Sequence, residues 1–184
     1  MSDAEELHRK QIAAYLQSLF VAKYDREDSV PCQIEDGLFL GSVGVARNND
    51  GLKRLNITHV LIVAKSLEPA FPNDFVYKKI EVLDTADTNI KEHFDECFDF
   101  IEESRQKGGG VLVHCFAGRS RSVTVIIAYL MKKYQMSLSQ AFAHVKSKRP
   151  QMTPNSGFMV QLLNYEKSLK VVQVDAEPVH IVID

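Results

Sequence analysis

At 184 residues with 45% hydrophobic content, the chain can bury one sizeable α/β core but hardly two. A net charge of −2 and a pI near 6.3 provide no general basic surface, so nucleic-acid binding has little electrostatic support. Three widely spaced cysteines, Cys32, Cys97 and Cys115, argue against a disulfide framework and for a reducing compartment, the cytoplasm or nucleus.

In chain order, residues 1–27 come first as a basic amphipathic helix, with Ile12, Leu16, Leu19 and Phe20 on one stripe flanked by Arg9, Lys10 and Lys23. Such helices engage calmodulin or membranes. The expectation is instead that the stripe packs on the body, Leu16 and Phe20 each contributing about 1.5–3 kcal/mol. Strands rich in Val, Ile and Leu are expected at Leu38–Leu40, His59–Val63, Val76–Val82 and Val111–Val113. Helical spacing appears at Phe94, Cys97, Phe98 and Ile101, and again at Leu138, Ala141, Phe142 and Val145. Ser137 followed by Gln140 fits a capping box, and Thr153-Pro154 marks another helix start, with Phe158, Leu162, Tyr165 and Leu169 facing inward. The longest apolar run, Val123 to Met131, reads as a buried helix too short to span a bilayer. Together these give an α/β body over residues 28–170, a central sheet flanked by helices, and an unpaired tail over 171–184. The tail's Val179-His180-Ile181-Val182-Ile183 is β-prone and could add to a sheet edge. Lys53-Arg54-Leu55-Asn56-Ile57 superficially fits a kinase-docking motif, but Leu55 and Ile57 lead into a buried strand and are read as core.

The informative segment is His114 to Ser122, His-Cys-Phe-Ala-Gly-Arg-Ser-Arg-Ser. It joins an apolar strand to an apolar helix, so its loop aims backbone N–H groups into one concavity where an anion would sit. Cys115 lies under those N–H groups and near the positive helix end, which favours negative charge on sulfur. Gly118 permits a conformation or close approach that a Cβ would obstruct. Arg121 can hold two phosphoryl oxygens bidentately, which lysine would do less well. Ser122 can donate a hydrogen bond to the sulfur when it must leave a covalent intermediate. His114 is read as orienting the loop. Phe116, Ala117, Arg119 and Ser120 complete the binding segment.

The run HCFAGRSRS resembles the Cys-x5-Arg-Ser signature of protein tyrosine phosphatases, and its Ala-Gly-x-Ser-Arg-Ser ending looks like the dual-specificity branch. From about Asp28 to Leu169, the segments GLFLGS, THVLIVA, AYLMKK and PNSGF are similar to small dual-specificity phosphatases, most closely the plant-type MAP kinase phosphatases. The resemblance implies a single-domain cysteine-dependent phosphatase fold and MAP kinases as phosphoprotein substrates. No cofactor or metal is expected.

Thiolate attack requires a partner, because a serine, threonine or tyrosine oxygen leaves badly unless protonated. Asp84 and Asp87 both follow the strand ending near Leu83; the family carries its general acid at the position matching Asp84. The same carboxylate would then activate water against the phosphocysteine. Asn155 is expected to hydrogen-bond the loop from outside, as the matching family residue does, or to cap a helix. Arg149, after Lys148, is a candidate second-phosphate ligand, with Arg119 adding to its field. The competing readings are a phosphoinositide or RNA-end phosphatase and a non-catalytic phosphoprotein-binding module. The former relatives usually place extra lysines or a His-Gly-x-Asn variant in this loop, and the latter would normally have lost Cys115 or Asp84.

Overall fold

The computed structural model describes residues 2–176. Val179–Ile183, the β-prone tail segment, lies outside the described residues. Helix α1 spans Asp3–Glu27, strands β1 and β2 are Cys32–Glu35 and Leu38–Gly41, and short helices α2 (Val43–Ala46) and α3 (Asn49–Arg54) follow. Then come β3 (Ile57–Val63), β4 (Val76–Ile80), α4 (Phe94–Gln106), β5 (Gly110–His114), α5 (Arg121–Tyr134), α6 (Leu138–Lys148) and α7 (Ser156–Ala176). The sheet order is β1-β2-β5-β3-β4. Only β1 and β2 pair antiparallel, turning at Gly37, while β2, β5, β3 and β4 run parallel.

A parallel sheet with helices on both faces must bury alternate residues on both sides, which is why its strands read as continuous apolar runs. Leu38, Leu40, Leu61, Val63, Val111 and Val113 face one core with α4, α5, α6 and α7. Phe39, Val60, Ile62 and Leu112 face the other, with α2 and α3. Helix α5 is buried from Ser122 through Met131. The capping box of α6 forms as expected from Ser137 and Gln140. Phe158, Leu162 and Tyr165 are buried and Leu169 packs against them. The start of α7 is set by Asn155, whose Oδ1 accepts from the Phe158 N–H at 2.9 Å, rather than by Thr153.

Helix α1 departs from expectation. None of its residues is buried; Leu16 and Phe20 are 49% and 55% exposed, and Leu7, Ile12, Tyr15 and Leu19 are exposed too. Only its last turns touch the body, through Val21 and Tyr24. The stripe does not pack because the face of the sheet nearest α1 is already covered by α2 and α3. Ser2 caps the first turn in a capping box, so the exposed N-terminal part of the helix is held by its own cap while its last turns are held by the body. Leu55 is likewise exposed rather than core, whereas Ile57 is buried.

Candidate active site

The carboxyl ends of β2 and β5 pair side by side, Gly41 opposite His114. In open α/β sheets ligands bind outside such ends. Here β5 runs into the segment 115–120 and then into α5. A loop whose N–H groups all point inward needs its carbonyls held outward. Each is held. His114 Nδ1 lies 3.1 Å from Cys115 O, and the Val43 N–H donates to Phe116 O at 2.9 Å. Arg149 donates to Ala117 O (3.1 Å) and Gly118 O (2.6 Å). The Thr153 N–H donates to Arg119 O at 2.8 Å; the Thr124 N–H (2.9 Å) and hydroxyl (2.8 Å) donate to Ser120 O. A peptide unit's N–H points opposite to its C=O, so the N–H groups of Phe116 through Arg121 converge on one concavity, an anion nest.

Two residues complete the nest's geometry. Gly118 has φ +61°, and a Cβ there would stand 2.5 Å from Gly41 O; only glycine permits both. Arg121, 12% exposed, donates from Nη1 to Val82 O at 3.3 Å. Its buried Nε has no hydrogen-bond partner among the described residues. A buried unpaired donor costs about 1–3 kcal/mol, which a bound oxyanion would recover.

Cys115 is buried at 2% exposure, and its Sγ lies 3.1 Å from the Ser122 hydroxyl, the partner expected for it. The other thiols differ in surroundings. Burial pushes Cys97 up to about 12 and raises Cys32, which disfavours the thiolate at both. His114 is fully enclosed, and burial lowers it to about 4. It is therefore neutral and donates from Nδ1 to the loop, as an orienting residue would.

Asp84 reaches the loop from beyond β4. Its Oδ1 accepts from the Ser120 hydroxyl at 2.7 Å and from Asn155 Nδ2 at 2.8 Å, leaving Oδ2 turned toward Arg121, 4.0 Å from Nε. Ser120 also accepts from the Asn155 N–H at 3.1 Å. Asn155 thus both caps α7 and ties Asp84 to the loop, so the two expectations for it coexist. Asp87 is held by its own turn: a hydrogen bond from the Thr85 hydroxyl, then one from its own backbone N–H, lower its carboxyl below the ordinary range. Of the two rivals, Asp84 is the one in contact with the loop.

Arg149 is placed differently from expectation. It is 3% exposed, and Asp28 accepts from its Nη1 and Nη2 at 3.3 and 2.6 Å. With both loop carbonyls on its remaining edge, no face is left for a second phosphate. Arg119 is exposed and donates from Nε to Gln151 O at 2.8 Å. Asp28, Val43 and Thr153 escaped the sequence-based reading because they act on the loop from distant segments; Thr124, one turn into α5, could have been flagged by its Ser-x-x-x-Thr spacing from Ser120.

Comparison with known proteins agrees with this geometry. Residues 38–168 match the family model for the dual specificity phosphatase catalytic domain. The chain is 56% identical over 163 residues to dual specificity protein phosphatase 1 of Arabidopsis thaliana, covering 89% of this chain and 82% of that protein. It is 48% identical over 142 residues to MAP kinase phosphatase with leucine-rich repeats protein 3 of Dictyostelium discoideum, covering 77% of this chain and 16% of that protein. Among solved structures, human tyrosine phosphatase-like serine/threonine/tyrosine-interacting protein superposes with a TM-score of 0.74 at 35% identity, covering 76% of this chain and 97% of that one. A nest built over a cysteine, on a sheet that superposes on solved relatives and in a sequence matched across most of its length, has one reading: the chain belongs to the dual-specificity phosphatases, enzymes acting on phosphotyrosine and phosphoserine/threonine in proteins.

Proposed function

We propose that the enzyme works through a phosphocysteine intermediate on Cys115 and that MAP kinases are among its substrates. The observation that carries the mechanism is Cys115 at the head of a loop whose carbonyls are all held outward, its Sγ 3.1 Å from the Ser122 hydroxyl, with the loop's Arg121 keeping a buried Nε that has no hydrogen-bond partner among the described residues. A phosphomonoester dianion bound there presents phosphorus to the sulfur. The S–P bond forms as the P–O bond to the side chain breaks, Arg121 and the loop holding the equatorial oxygens. The departing oxygen takes its proton from Asp84, whose Oδ2 faces the guanidinium. In the second step Asp84 accepts a proton from the attacking water, orthophosphate forms, and the sulfur leaves with the Ser122 hydroxyl donating to it. Chemistry at the loop does not name the protein substrate. MAP kinases rest on the resemblance to MAP kinase phosphatases, one of which carries that activity in its name.

The test is substrate trapping. Cys115→Ser should retain phosphoprotein affinity without turnover, and mass spectrometry of captured proteins should return doubly phosphorylated MAP kinases. Capture of other phosphoproteins alone would remove the kinase assignment and keep the chemistry. The cytoplasm or nucleus is the proposed compartment, supported by three free cysteines and the need of Cys115 for a reducing environment. Calcium-loaded calmodulin is proposed as a partner of α1, on the exposure of Ile12, Leu16 and Phe20. A peptide covering Glu5 to Arg26 should bind it only with calcium; binding without calcium, or none, would dismiss it.

A further inference from the structure

The matched catalytic domain begins at Leu38, yet two carbonyls of the phosphate loop are held through a residue that precedes it. Arg149 follows the last residue of α6, and its guanidinium is divided between two duties. One edge donates to Gly118 O and Ala117 O at 2.6 and 3.1 Å; Asp28 accepts from the rest at 2.6 and 3.3 Å. Asp28 caps α1, its N–H donating to Tyr24 O at 2.9 Å, and its own carbonyl accepts from the Ser42 hydroxyl at 3.0 Å. Tyr24 meets the loop residue Phe116 edge-on, ring centroids 5.7 Å apart. Gly44 lies so close that a Cβ would overlap Tyr24 O. The last turn of α1 is therefore fixed to the body, while its upstream residues are exposed.

We infer that Asp28 is a positioning residue for phosphoryl capture: through Arg149 it sets the two peptide units at the apex of the nest. Arg149 is 3% exposed and Asp28 20%, so the cation cannot fall back on solvent where it sits, and a buried guanidinium without a partner leaves or reorients. Once it does, Ala117 O and Gly118 O lose their donors, and nothing else among the described residues holds the N–H groups of Gly118 and Arg119 inward. A peptide unit that turns over presents a carbonyl to the phosphate in place of an N–H. The charge on Asp28 also polarises the chain from carboxylate to guanidinium to carbonyl, which strengthens the donor at the far end of each peptide unit. The N-terminal helix thus forms part of the catalytic apparatus, contributing through its C-terminal cap.

This inference rests on the proposed phosphatase mechanism only for the identity of the anion, so its test reads anion binding as well as turnover. Tungstate affinity is measured by isothermal titration, alongside KM and kcat on an aryl phosphate and the melting temperature. Asp28→Asn removes the charge at nearly constant shape, and Arg149→Lys removes the fork while keeping the charge. Each should weaken tungstate binding and raise KM about tenfold or more, with kcat falling less. The double variant should be no worse than the poorer single one, since both remove one unit. Asp28→Glu should recover most of the affinity. Asp25→Asn, an exposed α1 carboxylate that pairs with Arg47 at 3.1 Å, should bind tungstate as the parent does. Parent-like tungstate affinity in Asp28→Asn, at whatever melting temperature, would overturn the inference, as would additive losses in the double variant. Intact tungstate binding with no turnover in the parent enzyme would sink the phosphatase mechanism and leave the clamp standing.

Discussion

Gly118→Ala puts the loop geometry to a quantitative test. The backbone there has φ +61°, and a methyl group would stand 2.5 Å from Gly41 O, 2.6 Å from Gly41 C and 2.8 Å from Arg149 Nη2. Left-handed backbone costs a Cβ-bearing residue about 1–2 kcal/mol. The contacts cannot be borne as they stand, because a carbon and an oxygen that are not bonded sit at roughly van der Waals separation, about 3.5 Å; Gly41 is strand backbone, so the loop must move instead. Displacing catalytic groups by about 1 Å costs on the order of a hundredfold in rate. The expected outcome is a kcat/KM reduced about a hundredfold on an aryl phosphate. Gly108 is the control. It has φ +74°, and a methyl group added there would meet nothing within 4 Å, so Gly108→Ala carries the backbone strain alone: the melting temperature should fall by about 2–8 °C with activity unchanged. Full activity in Gly118→Ala, or an equal activity loss in Gly108→Ala, would refute the reasoning.

Asp84→Asn should slow phosphoenzyme formation about a hundredfold on alkyl phosphates and far less on an ester whose leaving group departs unprotonated; a larger leaving-group-dependent defect in Asp87→Asn would transfer the acid role. His114 gives a pH signature. Burial holds it near 4 against an ordinary 6.5, so between those values the unfolded chain binds a proton that the folded one refuses, and stability falls as pH falls. From about pH 7 to about pH 5.5 the parent should lose about 1 kcal/mol more than His114→Asn in urea unfolding; equal losses would contradict a neutral buried imidazole. Deleting residues 2–20 should shift the melting temperature by less than about 2 °C, since none of α1 is buried, whereas packing of Leu16 and Phe20 would have produced a fall of about 6–20 °C on deletion.

The sheet and the loop were legible because their signals are local. Val111-Leu112-Val113 is apolar on consecutive positions as a strand buried on both faces must be, and Cys115, Gly118, Arg121 and Ser122 take their roles from spacing within one turn. Asp84 was legible only to within one rival, because choosing it over Asp87 needs the contacts to Ser120 and Asn155, 36 and 71 residues away. Arg149 was misread for the same reason: a basic residue near a phosphate site looks like a ligand until its partner is known, and Asp28 lies 121 residues distant. For α1, helical periodicity showed a stripe but not what would cover it, since α2 and α3, too short to carry a periodic signal, already occupied the neighbouring face. Strand β1, four residues with a register shift against β2, was equally below the reach of pattern.

The most direct test of the mechanism is rapid quench of the enzyme with a ³²P-labelled aryl phosphate at mildly acidic pH, followed by peptide mapping. The chemistry derived from the loop predicts a burst of acid-stable label on Cys115 that accumulates within the first turnover, disappears into orthophosphate, and is absent from Cys115→Ser. Turnover without label on Cys115, or undiminished turnover in Cys115→Ser, would contradict it.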